Sequence, residues 1–200
     1  MRIFIVRHAN KEFGDYYNDK LKHQDSPLSD EGVEKAKRLV DYFKYEKVDK
    51  IIASEYLRAF QTAKYVAESK GLEIIRDKRL NEIDNGIIEA MSDEEIIEKY
   101  PDFWNDFFTY SKDVRFPEGE TGDEVKKRQD ELLEELKKDN KNVLLVGHEG
   151  YIRLLMCNLL QIPVYKRNLF KVEMCGIMEF EFDKKLNSWR VIRFNQSLDI

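Results

Sequence analysis

Met1-Arg2-Ile3-Phe4-Ile5-Val6-Arg7-His8-Ala9-Asn10 opens the chain, and the rest of it is organised around this stretch. Ile3 to Val6 is an unbroken run of β-branched and aromatic side chains, which predicts a strand buried on both faces. The run stops at Arg7-His8. Open α/β sheets bind ligands outside the carboxyl ends of their strands, so a basic pair at that point is placed to meet one. A histidine there can serve as nucleophile, general base or metal ligand. The arginine beside it would repel a metal ion but would hold an anion by a bidentate fork. The stretch therefore reads as an anion-handling histidine.

Working outward, 200 residues fit one domain, 1–200, with enough chain to bury a core of its own. Charged residues make up 36% and apolar ones 42%, the balance of a soluble globular protein. A net charge of −5 gives the long-range field the wrong sign for nucleic acid or an anionic membrane. An anionic substrate then needs a locally focused basic pocket. Cys157 and Cys175 are far apart and form no C-x-x-C pair, which predicts neither zinc nor a disulfide framework but two buried thiols in a reducing compartment. The chain enters a strand at once, without a signal peptide, and no apolar run approaches ~18 residues. A cytoplasmic protein, monomer or homodimer, is the expectation.

Past the first strand, Lys11 to Pro27 is polar and aperiodic and reads as a loop. Ser29 caps a helix whose first turn carries Asp30 and Glu31, suited to the helix dipole, and Val33, Ala36, Val40 and Phe43 repeat at helical spacing. Val48 to Ala53 is a strand ending at Ser54; Glu55 to Lys70 is a helix stopped by Gly71; Leu72 to Arg76 is a strand. The order β-α-β-α-β implies a parallel sheet with right-handed crossovers. Leu80 to Ala90 is a loop holding Glu82, Asp84 and Glu89. Ser92 to Tyr110 opens with a capping box and is broken by Pro101; its aromatics Phe103, Trp104, Phe107 and Phe108 serve an insertion, about 92–115, laid over the ligand edge. Thr121 and Glu124 make a second capping box, starting a helix with Val125, Leu132, Leu133 and Leu136 inward. Val143 to Val146 is the second wholly apolar strand, and it too ends at a histidine, in Gly147-His148-Glu149-Gly150. A helix from Tyr151 to Leu160 and two strands, Gly176 to Phe182 and Trp189 to Phe194, complete an α/β three-layer sandwich with a mainly parallel sheet.

Two buried strands thus each deliver a histidine at the carboxyl end, and a third ends at Ser54 with Arg58 one turn into the next helix. A histidine so placed can also do no more than cap its strand through a backbone hydrogen bond. With only three histidines in the chain, two at such positions beside Arg7 point to chemistry. His23, in the polar loop, reads as exposed.

These residues resemble the histidine phosphatase superfamily in its phosphoglycerate mutase-like branch one, over nearly the whole length. The resemblance is carried by Arg7-His8; by Leu28-Ser29-Asp30-Glu31-Gly32; by Ser54-Glu55-Tyr56-Leu57-Arg58-Ala59-Phe60-Gln61-Thr62-Ala63; by Leu80-Asn81-Glu82; by Pro117 to Thr121; and by Val146 to Arg153. It implies that His8 attacks the phosphorus of a small phosphorylated metabolite and becomes phosphorylated, splitting one displacement into two. It implies that Arg7, Arg58 and His148 surround the equatorial oxygens. Glu82 then protonates the leaving group and later activates water, with no metal or other cofactor. Ala9, Asn10 and Lys11 depart from the Gly, Glu/Gln, Ser/Thr usual after the histidine, Gly14 stands where many members have asparagine, and Glu149 stands where glycine is common. Asn10, through its amide, and Glu149 are counted with the arginines as substrate-binding.

Three other readings use the same residues. A cofactor-dependent phosphoglycerate mutase usually carries a longer insertion and tail than this chain. A catalytically idle phospho-ligand module would have no need of the full His-Arg-Arg-Glu-His set. A metal enzyme built on His8, His148 and Glu82 has Arg7 and Arg58 against it.

Overall fold

In chain order the elements are β1 (Arg2–Arg7), a short hairpin of β2 (Tyr17–Asn18) and β3 (His23–Gln24), α1 (Asp30–Phe43), β4 (Lys50–Ala53), α2 (Leu57–Lys70), β5 (Ile74–Arg76), α3 (Asp93–Lys99), α4 (Pro101–Thr109), α5 (Gly122–Asp139), β6 (Val143–Gly147), α6 (Glu149–Leu159), β7 (Ile177–Asp183) and β8 (Ser188–Gln196). The computed structural model describes residues 1–198, so the last two positions of the expected 1–200 domain lie outside the described residues. The strands form one six-stranded sheet of order β5-β4-β6-β1-β7-β8. β5, β4, β6 and β1 pair in parallel, β7 runs antiparallel to β1, and β8 runs antiparallel to β7. The α/β sandwich with a mainly parallel sheet is the fold the sequence predicts.

The period-two alternation of β1 divides the core. Phe4 and Val6 face the layer of α1 and α2, meeting Ala36, Leu39, Phe43, Ala63 and Val66. Ile3 and Ile5 face the layer of α5 and α6, meeting Leu132, Leu136, Ile152 and Leu155. Ile3, Phe4, Ile5 and Val6 are all buried, and each such side chain contributes about 1.5–3 kcal/mol.

Three of the five pairings, β4–β6, β6–β1 and β1–β7, do not follow chain order. β6 is inserted between β1 and β4, so the first two crossover strands are not neighbours. The register pairs Arg7 with Gly147 and Ala53 with Val146. The chain continues the ladder one step, His8 N–H donating to Gly147 O at 2.9 Å and Ser54 N–H to Val146 O at 3.1 Å. His8, Ser54 and His148 therefore leave three adjacent strands at the same level.

Several boundaries differ from the sequence reading. β4 and β5 start two residues later than expected, and α2 starts at Leu57. The polar loop folds back on itself through β2 and β3. α6 starts at Glu149 because His148 is its N-cap and Glu82, from a distant loop, takes up its first free N–H groups. Both capping boxes form as read, at Ser92/Glu95 and Thr121/Glu124. Phe103, Trp104 and Phe107 of α4 pack against the core while Phe108 stays exposed: Phe103 and Phe107 lie 5.2 and 5.4 Å from Phe116, ring centre to ring centre, and the Arg167 guanidinium covers Phe107. Among the described residues no helix is long and apolar enough to cross a membrane.

Candidate active site

His8 follows the last residue of β1 and is 6% exposed. Its Nδ1 lies 2.7 Å from Ala9 O. A carbonyl only accepts, so Nδ1 carries the proton and Nε2 keeps its lone pair. The strand end is held still by Ala9 N–H, which donates to Thr62 Oγ1 of α2 at 3.0 Å. Burial, then the positive fields of Arg58, Arg7 and Lys11, lower the His8 pKa to about 3, against a smaller opposing effect from the Ala9 hydrogen bond. The imidazole is neutral at physiological pH, which is what a nitrogen nucleophile requires.

The two arginines come from separate elements. Arg7 donates through Nη1 to Val172 O and through Nη2 to Glu149, both at 2.7 Å. Arg58, in the first turn of α2, donates through Nη1 to Gln24 O at 3.2 Å and lies over the Tyr56 ring at 4.4 Å. The Nε atoms of both are buried and have no protein partner. His148 is fully buried, its ring centre 5.2 Å from that of His8 and 4.8 Å from that of Tyr56. Its Nε2 lies 2.7 Å from Ser54 Oγ, while Nδ1 has no partner. Burial and then Arg58 hold its pKa well below the ordinary histidine value. Three unpartnered buried nitrogens thus belong to residues gathered about the free Nε2 of His8, the pattern of a site built to bind an anion.

Of the three acids in Leu80–Ala90, Glu82 alone acts electrostatically on both Arg7 and Arg58, Glu89 acting on Arg58 only. The Glu82 carboxylate accepts from Ile83 N–H at 2.9 Å, Gly150 N–H at 3.1 Å and Tyr151 N–H at 2.7 Å, which seats it on the α6 N-terminus. A Cβ at Gly150 would stand 2.8 Å from both Glu82 Oε1 and Ile83 Cγ2, so a side chain there would displace the carboxylate from its seat. Asp84 instead accepts from Gly86 N–H, and Glu89 pairs with His23 at 2.7 Å. Behind the loop, Arg128 donates to Arg79 O at 2.8 Å and Glu82 O at 3.2 Å, and pairs with Glu120 of the Pro117–Thr121 segment at 3.1 Å.

The remaining residues singled out in the sequence have these partners in the structure. Glu149 is engaged by two cations, Arg7 at 2.7 Å and Arg153 at 2.5 Å, so it orients Arg7 and Arg153. The Asn10 amide donates to Glu31 at 3.2 Å, drawn there because Asn10 O packs against Gly32, where a Cβ would come within 2.0 Å. His23 is not exposed: its side chain is 16% accessible, because the hairpin folds it against Glu89 and towards Asp84. Lys11, left without a role in the sequence reading, acts electrostatically on His8. Tyr56 and Thr62 lie inside the Ser54–Ala63 run and Arg128 lies on α5 outside every quoted run; none gives a signal of its own, since their partners are distant in sequence.

The two buried neutral imidazoles carry a consequence for stability. His8 binds a proton less readily folded than unfolded, so its contribution is fully present above pH ~6.5 and is lost as pH falls towards about 3. Urea denaturation between pH 7 and pH 4.5 is expected to show the wild type losing about 2.5 kcal/mol more than the His8→Asn protein, the slope approaching about 1.4 kcal/mol per pH unit only below pH ~6. Parallel curves for the two proteins would show that His8 is not held neutral by its surroundings.

The sequence profile of the histidine phosphatase superfamily (branch 1) matches residues 3–197. The chain is 34% identical over 171 residues to phosphoserine phosphatase 1 of Hydrogenobacter thermophilus, an alignment covering 83% of this chain and 79% of that one. It is 26% identical over 187 residues to the probable phosphoglycerate mutase GpmB of Enterobacter sp., covering 92% and 86%. A mycobacterial glucosyl-3-phosphoglycerate phosphatase, solved with inorganic phosphate, superposes at a TM-score of 0.83 and 22% identity, covering 100% of this chain and 99% of that one, and so shares its fold. A profile spanning almost every residue, with the Arg-His pair, Arg58, Glu82 and His148 gathered at one sheet edge, places the chain in the histidine phosphatase superfamily, branch 1.

Proposed function

We propose that the protein hydrolyses a small phosphorylated metabolite in the cytoplasm, passing the phosphoryl group to His8 and then to water without a metal ion. The observation that carries this reading is the neutral His8, its Nε2 lone pair free and its Nδ1–H fixed on Ala9 O, set among the unpartnered buried nitrogens of Arg7, Arg58 and His148. In the first step Nε2 forms a bond to phosphorus as the ester P–O bond breaks, and Glu82 gives a proton to the departing oxygen. In the second, Glu82 takes a proton from water, the water oxygen bonds to phosphorus, and the N–P bond breaks to release orthophosphate and neutral His8. The arginines and His148 meet the charge spread over the equatorial oxygens. Among the described residues no group of His, Cys, Asp and Glu side chains is arranged to hold a metal ion, and Arg7 and Arg58 supply the positive charge a metal would bring.

The similarity to a phosphoserine phosphatase makes phosphoserine the first metabolite to test, and the similarity to a probable phosphoglycerate mutase keeps isomerisation in view. Phosphate release from p-nitrophenyl phosphate and from a panel of sugar phosphates, phosphoglycerates and phosphoserine is expected, and it is expected to survive exhaustive EDTA and to be inhibited by vanadate. Loss on chelation with recovery on zinc or manganese would move the assignment to a metal enzyme. Interconversion of phosphoglycerates without phosphate release would move it to a mutase.

A further inference from the structure

Ser54 follows the last residue of β4 with no exposure to solvent, and no step above uses it. Among the described residues its hydroxyl has one hydrogen-bond partner, Nε2 of His148, at 2.7 Å. His148 is equally buried, and its other nitrogen, Nδ1, has none. Two arrangements of protons fit that distance. If Nε2 carried the hydrogen it would donate to Ser54 Oγ, and the serine O–H would then have no acceptor in a dry interior. If the serine O–H donates to Nε2, that O–H is satisfied and the imidazole proton sits on Nδ1. The second arrangement strands nothing but Nδ1–H, a donor whose ring lies 5.2 Å from that of His8 beside Arg7 and Arg58. A donor left unmade in the resting protein, in a site rich in cations, is placed to be completed by a phosphoryl oxygen.

We propose that Ser54 is a positioning residue that locks His148 in the Nδ1–H tautomer, so that His148 serves as a hydrogen-bond donor to the transferring phosphoryl group and not as a second base. The backbone supports this arrangement. Ser54 N–H donates to Val146 O at 3.1 Å, so serine and histidine stand on paired strands and their approach is set by the sheet register. The Tyr56 ring packs edge-on against His148 at 4.8 Å, opposing rotation of the imidazole. The kinetic part of the inference rests on the phosphatase reading; the tautomer does not.

The test is nitrogen NMR of protein labelled with 15N-histidine, His148 being assigned by comparison with the His148→Gln protein. The resting wild type is expected to show the proton on Nδ1 and an unprotonated Nε2. In Ser54→Ala, which leaves the volume nearly unchanged, that preference is expected to be lost. Its kcat is expected to fall by about 10- to 100-fold, with vanadate inhibition weakened to a similar degree, as for loss of a preorganised donor. Ser54→Thr keeps the hydroxyl and is expected to restore both the spectrum and the rate. A wild-type proton on Nε2, or a mixture of tautomers, overturns the proposal. So does a Ser54→Ala protein that loses activity with its tautomer unchanged, or changes tautomer with wild-type kcat. A protein that shows the Nδ1 proton yet hydrolyses no phosphate monoester counts against the phosphatase reading alone.

Discussion

His8→Ala is expected to lower turnover of every phosphate monoester by about 10,000-fold or more, the scale on which loss of a nucleophile acts when its partners remain. The lone pair on Nε2 exists because Ala9 O takes the Nδ1 proton and because burial and Arg58 keep the ring neutral. Alanine removes that lone pair and nothing that binds the anion. Arg7 stays held by Val172 O and Glu149, and Arg58 by Gln24 O. The variant is therefore expected to retain binding of inorganic phosphate, which separates a lost nucleophile from a lost fold. Wild-type protein quenched in base during turnover is expected to carry phosphate on His8 by mass spectrometry. Phosphate on another residue, or near-normal kcat in the variant, removes the assignment.

What the sequence made legible was the part governed by local pattern. Ile3–Val6 and Val143–Val146 are apolar without interruption, and only strands covered on both faces are written that way; their ends locate His8 and His148. Both capping boxes are local, and both form as read. The insertion of β6 between β1 and β4 is not local. It depends on which strand edge a later segment finds, and no periodicity records that. The same limit applies within the site. Ser54 and His148 are separated by 94 positions, so the contact between them is invisible until the register is known. His23 reads as exposed because its neighbours are polar, and the hairpin that turns it onto Glu89 is only two residues wide on each side. Glu149 illustrates the reverse case. Its place next to His148 at the strand end is legible, but its contacts with Arg7 and Arg153 follow from the register and from the start of α6, two residues earlier than the sequence indicates.

The choice among Glu82, Asp84 and Glu89 was the least legible of all, since three acids in one loop are equivalent until the chain folds. Folding distinguishes them by seating Glu82 on the α6 N-terminus, and the leaving group tests the distinction. An alkoxide departing from a sugar or amino-acid phosphate is a strong base and needs a proton in the transition state, whereas nitrophenolate does not. Glu82→Gln is expected to slow phosphorylation of His8 by an alkyl phosphate by about 100-fold or more, while p-nitrophenyl phosphate still phosphorylates the variant rapidly. Hydrolysis of the phosphohistidine also needs Glu82, so that intermediate is expected to accumulate, giving a burst of nitrophenol before slow turnover. Glutamine can keep the contacts to Ile83 and Tyr151 N–H through its oxygen, but its NH2 faces Gly150 N–H. The loss of that one bond is expected to cost about 1 kcal/mol of stability, too little to unfold the protein, and a thermal melt checks it. Asp84→Asn and Glu89→Gln are controls, because their carboxylates serve Gly86 N–H and His23. Equal slowing on both substrates, or a burst in either control, would assign the proton to another group.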